Sequence, residues 1–313
     1  MKAKIALLFP GQGSQSLGML KELAAEYPLI ESTYREASDA LGYDLWDVAQ
    51  NGPVEKLNQT DITQPALLTA GVAIWSVWNE LGAEKPVALA GHSLGEYSAL
   101  VCAGVLSLAD GVRLVRKRGE LMQAAVPAGQ GSMAAVLGLD DHVIETVCAQ
   151  AANGQIVSPV NFNSPGQVVV AGDKEAVERA SELLKAAGAK KVVPLAVSVP
   201  SHCALMKPAA EQLKVYLETL PFQSPSIPVV NNVDARIESE VDAIRDALVR
   251  QMYSPVQWVK CVQALFGMGI RSGFECGPGK VLSALNKRIE KEFTGDSLQD
   301  PQALRSALAA TQV

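Results

Sequence analysis

The sequence predicts an α/β fold: a hydrolase-like parallel-sheet core carrying a nucleophile elbow, with a ferredoxin-like α+β subdomain inserted into it. Three observations predict this. Apolar runs of strand length alternate with helical stretches along most of the chain. The pentapeptide Gly91-His92-Ser93-Leu94-Gly95 stands where one such run, Pro86 to Ala90, gives way to a helix-like run from Glu96 through Cys102. Between Gly131 and Val197 the order of segments is β-α-β-β-α-β, which is the ferredoxin-like unit.

Lys4 to Phe9 reads as a buried strand, ended by Pro10 and the loop Gly11-Gln12-Gly13-Ser14-Gln15. A dinucleotide fingerprint fails here, because Ser16 stands where its third glycine belongs. The glycine-flanked backbone at Gln12 suits an oxyanion donor better, an ordinary turn being the alternative. Helices follow over Leu17 to Glu26, Pro28 to Leu41 and Thr63 to Leu81, the last with Leu67, Leu68, Val72, Trp75 and Trp78 on an expected core face.

At the elbow, side chains flanking the central residue would collide with the incoming and outgoing backbone, so both flanks are glycine and Ser93 is displayed at the strand's end. The helix that starts just after it aims free N–H groups and a positive dipole end at any oxyanion formed there.

A second helix, Gly111 to Ala125, is preceded by the N-cap arrangement Ser107-Leu108-Ala109-Asp110. Its apolar half holds Val112, Leu114, Val115, Leu121 and Met122, and Arg118 falls inside that half. An inward guanidinium cannot shed its charge and needs a carboxylate, from the protein or from a substrate. A structural salt bridge and a snorkelling side chain are the alternatives.

The inserted unit reads as strand Ser132 to Leu137, helix Asp140 to Ala151, strands Ile156 to Val160 and Gln167 to Ala171, helix Lys174 to Ala187 and strand Lys191 to Val197. Its expected bounds are 130–199, with 1–129 and 200–313 forming the larger unit. The chain returns through helix Leu205 to Leu220, strand Pro228 to Asn231, helices Ala243 to Met252 and Val256 to Met268, and strand Arg271 to Cys276. Gly279-Lys280-Val281 is no P-loop, since valine replaces the hydroxyl residue and the glycine spacing is wrong. A short helix from Pro301 closes the chain, and segment 294–313 receives no role beyond packing.

A serine nucleophile at neutral pH needs a base, ordinarily histidine. There are three histidines. His92 neighbours Ser93, where adjacent side chains diverge, and His142 opens a helix of the inserted unit, where a surface role is expected. His202 remains, just where the inserted unit hands the chain back, at a cleft between units. Cys203, beside its own base in sequence, points away as a rival nucleophile. No acidic third member is evident, so a backbone carbonyl is expected to orient the imidazole.

With 48% hydrophobic and 19% charged residues over 313 positions, the chain can bury a substantial core. No apolar run approaches the roughly 18 residues of a membrane span, and Met1-Lys2-Ala3-Lys4 leads into a strand-like run rather than a signal peptide. The expected compartment is the cytoplasm. Five scattered cysteines without a C-x-x-C pair suit buried thiols, and no structural metal is expected. A net charge of -6 argues against a nucleic-acid surface and requires an acidic partner to use a local basic patch.

The chain resembles the malonyl-CoA:acyl carrier protein transacylases of type II fatty acid synthesis, which are similar to the acyltransferase domains of polyketide synthases. The resemblance covers essentially the whole chain. It rests on Pro10 to Gln15, Gly91 to Glu96, Arg118, Asn161 to Gln167, Pro200-Ser201-His202, Asn231-Asn232-Val233 and Glu275 to Gly279. It implies that Ser93 takes a malonyl group from coenzyme A with His202 as its base. The backbone N–H groups of Gln12 and Leu94 would form the oxyanion hole, Arg118 would hold the malonyl carboxylate, and the backbone carbonyl of Gln251 would orient His202. The side chains of Asn163 and Gln12 would line the pocket.

The same resemblance implies malonyl-CoA and acyl carrier protein as partners and no cofactor, since coenzyme A enters as malonyl-CoA and leaves as product; a monomer is expected, although no residue pattern speaks to the oligomeric state. Acyl carrier protein is acidic, so docking is expected at Lys190, Lys191, Lys287 and Arg288, ordinary solvated surface charge being the alternative. One departure concerns the acyl side group: the residue before the base is Ser201, which in polyketide acyltransferases accompanies methylmalonyl. The competing readings are a hydrolase using the same pair with water as acceptor, and a catalytically silent docking subunit of a larger synthase.

Overall fold

The computed structural model describes residues 4–197 and 199–311, so Met1, Lys2 and Ala3 of the N-terminal reading lie outside it. β1 (Ile5–Phe9) leads into α1 (Lys21–Glu26), α2 (Leu29–Leu41), α3 (Leu45–Asn51), α4 (Val54–Leu57) and the long α5 (Thr60–Glu80). β2 (Ala88–Gly91) is followed by α6 (Leu94–Cys102) and α7 (Leu108–Ala125). Next come β3 (Gly131–Leu137), α8 (Asp141–Ala152), β4 (Val157–Ser164), β5 (Gln167–Asp173), α9 (Lys174–Ala186) and β6 (Lys191–Pro194). The chain returns through α10 (Lys207–Glu218), β7 (Val229–Val230), α11 (Val241–Gln251), α12 (Trp258–Gly267), β8 (Ser272–Glu275), α13 (Val281–Ile289) and α14 (Pro301–Thr311).

The first sheet has the order β7-β2-β1-β8 and its pairings are parallel, Leu7 lying opposite both Leu89 and Phe274. Both faces are covered, which is why β1 reads as an unbroken apolar run. Ile5, Leu7 and Phe9 point into the core that holds α5 and α7, while Ala6 and Leu8 meet Trp258, Val262 and Leu282 of α12 and α13. The second sheet has the order β4-β5-β3-β6, antiparallel throughout, as the ferredoxin-like reading requires. Ala134 and Val136 of β3 face α8 and α9, and Met133 faces the opposite side with Val160, Val169 and Cys203. Val256 stitches the two units together: its N–H donates to Val160 O (2.8 Å) and its carbonyl accepts from Phe162 N–H (3.0 Å).

Beyond shifts at element ends, the elements differ from expectation in three places. α3 and α4 occupy a stretch read without structure, where Gly52 and Pro53 break the periodicity into pieces too short to register. α3 is capped by Asp44, whose carboxylate accepts from Asp47 N–H at 2.8 Å. β4 runs on to Ser164 through two irregularities. β6 stops at Pro194, which has no N–H to carry a ladder further, although Leu195 N–H still reaches Met133 O. No helix of the described residues is long and apolar enough to cross a membrane.

Candidate active site

β2 ends at Gly91 and α6 begins at Leu94, so the strand turns into the helix across two residues. A Cβ added at Gly91 would lie 1.9 Å from the carbonyl carbon of Gly95, and one at Gly95 would lie 2.0 Å from Phe9 O. Only glycine fits at either flank. Between them Ser93 adopts φ 54, ψ -109, outside the favoured regions for an L residue, at a cost of about 1–3 kcal/mol. Distant groups hold it there: Ser93 N–H donates to Asn232 Oδ1 at 2.8 Å, and Gln251 Nε2 donates to Ser93 O at 3.0 Å.

His202 is 3% exposed, and its Nε2 is 2.8 Å from Ser93 Oγ. Its Nδ1 is 2.7 Å from the main-chain oxygen of Gln251. A carbonyl oxygen only accepts, so Nδ1 carries the proton and Nε2 is left to accept from the serine hydroxyl. Burial, and then the positive charge of Arg118, push the imidazole down to about 3, against the Gln251 hydrogen bond that favours its charged form. The ring is therefore neutral, and able to take a proton, throughout the ordinary pH range.

Arg118 is 1% exposed, on the inward face of α7. Nη1 donates to Gln64 Oε1 at 2.8 Å; Nη2 donates to Gln251 Oε1 at 3.0 Å and to Ser93 Oγ at 3.2 Å. All three partners are uncharged, and buried Nε has no partner among the described residues. The guanidinium also lies over the Tyr97 ring, 5.1 Å from its centroid. A buried cation with neutral partners, aimed at a nucleophilic oxygen, is set up to receive an anion there.

A carboxyl lies beneath the nucleophile. Glu96 Oε2 accepts from Asn232 N–H and from Gln251 Nε2, both at 2.9 Å, and Asn232 Nδ2 donates to Gly91 O at 2.7 Å. Burial raises the Glu96 carboxyl to about 7, against hydrogen bonds from Asn232 and Gln251.

Ser93, His202 and Arg118 open on a cavity of about 250 Å³ that Gln12, Leu94 and Asn161 also line. Neither the Gln12 nor the Leu94 backbone N–H is given to an acceptor among the described residues. A larger surface groove of about 490 Å³ between β8 and α14 holds none of these groups.

Asn163 corrects expectation. It does not line the cavity but sits behind His92, whose Nε2 is 2.8 Å from Asn163 Oδ1. Asn161, two residues earlier on β4, lines it instead, and the register of the strand shifts between Phe162 and Ser164, on either side of Asn163. His142 is exposed, and Cys203 is buried with Sγ turned to Pro200 O at 3.2 Å.

Gln64, Asn161, and the side chains of Asn232, Glu96 and Gln251 received no role from the sequence. Gln64 carried a signal: it continues the buried stripe of Leu67 and Leu68 on α5, the same anomaly that singled out Arg118. Lys190, Lys191, Lys287 and Arg288 are exposed. Leu137 pairs with Gln167 on one side and Lys191 on the other, and Arg288 Nη1 donates to Gln167 Oε1 at 2.9 Å, so both basic pairs share one end of the antiparallel sheet.

A family described as acyl transferase domain matches residues 6–299. A malonyl CoA-acyl carrier protein transacylase of Salmonella typhimurium is 61% identical over 305 residues, spanning 97% of this chain and 99% of that protein. The structure of the malonyl CoA-acyl carrier protein transacylase from Coxiella burnetii superposes with TM-score 0.99 at 47% identity, covering 100% of this chain and 99% of that one. A malonyl-transacylase structure in complex with its type II PKS acyl-carrier protein superposes with TM-score 0.97 at 58% identity, over 98% and 99% of the two chains.

Proposed function

The chain belongs to the acyl transferase domain family, and on that premise we propose that it moves a malonyl group from coenzyme A to the phosphopantetheine thiol of acyl carrier protein through an ester on Ser93. The observation that carries this reading is Arg118: a buried guanidinium 3.2 Å from the serine oxygen, whose hydrogen-bond partners among the described residues are all uncharged.

Ser93 Oγ attacks the thioester carbonyl while its proton passes to His202 Nε2. The oxyanion that forms faces the free N–H groups of Gln12 and Leu94, the latter at the positive end of α6. Collapse breaks the C–S bond, the departing thiol takes the proton from His202, and the malonyl ester remains on Ser93. The carrier thiol then gives its proton to His202 and attacks the ester, and the proton returns to Ser93 Oγ as the C–O bond breaks. This is a ping-pong scheme.

Arg118 supplies selectivity. A bidentate pair with the free malonyl carboxylate fixes the acyl chain, whereas a neutral chain leaves the guanidinium without an ionic partner. Ser201 lines the same cavity, and the malonyl reading follows the relatives named above rather than that residue alone. Their names do not favour the hydrolase reading of the Ser93 and His202 pair. Acyl carrier protein docks, on this reading, at Lys190, Lys191, Lys287 and Arg288, and the enzyme is a cytoplasmic monomer with no resident cofactor.

The test is intact-protein mass spectrometry after mixing with malonyl-CoA. A malonyl mass increase is expected, absent in Ser93→Ala and discharged by pantetheine thiols in strong preference to water. No adduct on the unaltered protein overturns the reading.

A further inference from the structure

Glu96 takes no part in the acyl-transfer steps above, yet it is 2% exposed and bonded at the centre of the site. Its Oε2 meets Gln251 Nε2, whose other amide atom, Oε1, takes Arg118 Nη2. Turning the Gln251 amide over would set its oxygen against Glu96 Oε2, the Ser93 carbonyl and Asn232 Oδ1, which accept from Nε2 in the observed orientation, and its N–H groups against a guanidinium, which only donates. Glu96 and the Ser93 carbonyl thus select one orientation of the amide.

We propose that Glu96 is a positioning residue for the carboxylate clamp: by accepting from Gln251 Nε2 it turns Gln251 Oε1 onto Arg118 and so aims the guanidinium at the acyl group on Ser93. This rests on the acyl-transfer reading above. The role belongs to an acceptor lone pair and not to charge. Glu96 loses its proton at about 7, surrounded by Arg118 from α7, Arg250 from α11, the Cys261 thiol from α12 and Tyr97 on its own helix. Oε2 offers a lone pair in either protonation state, so a neutral amide oxygen substitutes for it.

The experiment compares Glu96→Gln, which keeps an acceptor, with Glu96→Met, which fills similar space without one. Single-turnover acylation of Ser93 by malonyl-CoA and by acetyl-CoA is followed by intact mass, with thermal unfolding as the check on folding. The Met variant is expected to lose about tenfold or more in the malonyl-to-acetyl rate ratio, and the Gln variant to hold it within about threefold. Equal loss with both thioesters would mark Glu96 as scaffold alone and overturn the proposal. An unchanged ratio in the Met variant, or a Gln variant as impaired as the Met variant, also overturns it. Should the Met variant not fold, Glu96→Ala, which removes the acceptor with a smaller side chain, is read by the same ratio: selective loss of malonyl supports the proposal and an unchanged ratio overturns it. Absence of any malonyl adduct on the unaltered enzyme overturns the acyl-transfer reading and this proposal with it.

Discussion

The main-chain oxygen of Gln251 lies 2.7 Å from His202 Nδ1, and this one contact decides which ring nitrogen faces Ser93 Oγ as an acceptor. Burial and the charge of Arg118 then hold the imidazole down at about 3. A base with a lowered pKa stays unprotonated as pH falls, and loses function only near that value. The kcat/KM for malonyl-CoA, which reports the free enzyme, is therefore expected to show no acid limb between pH 8 and about 5. A limb centred near 6.5 in a stopped-flow or mass-quench profile would indicate an ordinary, solvated histidine and contradict the geometry.

Arg118 carries the selectivity prediction. Replacing it in Arg118→Met keeps an unbranched apolar stem but removes every donor to the acyl carboxylate. Loss of one partner of a buried charge pair costs about 2–5 kcal/mol, so malonylation of Ser93 should slow by about 30-fold or more. Acetylation should change by less than about tenfold, because it gains nothing from the guanidinium. Parallel rates with the two thioesters check this, and equal loss in both would assign Arg118 a structural role.

What the sequence made legible was local, and what it hid was assembled over long separations. The elbow is written in five consecutive residues, because the collision that excludes a side chain at Gly91 and Gly95 arises within a single turn. The parallel core and the ferredoxin-like unit follow from segment order and period. Asn232 meets Ser93 across 139 residues and Gln64 meets Arg118 across 54, and no pattern within either segment announces the pairing. Gln251 entered only for its main-chain oxygen, yet its side chain joins Arg118, Ser93 and Glu96. The exchange of Asn163 for Asn161 has a related origin: the expected strand ended at Val160 and left both residues in a loop, so nothing local placed either against the cavity.

The elbow itself gives a stability prediction. Gly95→Ala places a methyl group 2.0 Å from Phe9 O, and because both sides of that contact are backbone, no side chain can turn aside. The sheet and α6 must separate locally, which puts the substitution in the severe class, at about 4 kcal/mol or more. Loss of soluble folded protein, or a correspondingly lowered midpoint in denaturant, is expected. A folded Gly95→Ala protein of unaltered midpoint would mean that the strand and helix are not in this contact.

The basic end of the antiparallel sheet yields a prediction about the carrier alone. Lys190, Lys191, Lys287 and Arg288 are exposed, and the site cavity opens elsewhere on the same sheet, beside Met133 and Leu195. Reversing all four charges should raise the KM for acyl carrier protein and flatten its dependence on salt, while the rate of Ser93 acylation by malonyl-CoA is unchanged. Initial-rate measurements at two ionic strengths separate the two half-reactions, and an unaltered KM for the carrier would remove this surface from consideration.

Glu96 makes a final prediction in which only the sign of a pH effect is at issue. Its carboxyl titrates near 4.5 when unperturbed and at about 7 in the folded protein, where burial is the leading cause. The native state therefore holds this proton more tightly than the unfolded chain does. Between those two values the unfolded state gives up its proton while the native state keeps it, so the contribution to stability is full below about 4.5 and falls as pH rises through about 7. Glu96→Gln lacks the titration but keeps the acceptor oxygen. Subtracting the variant from the unaltered protein cancels the other carboxyl groups, and the remaining difference should fall by up to about 3 kcal/mol across that window, then level off above it. Paired urea titrations at several pH values from 4.5 to 8 measure it. A difference that stays constant, or that grows with pH, would mean that Glu96 is held as a stabilised carboxylate and that the positive field of Arg118 and Arg250 outweighs its burial.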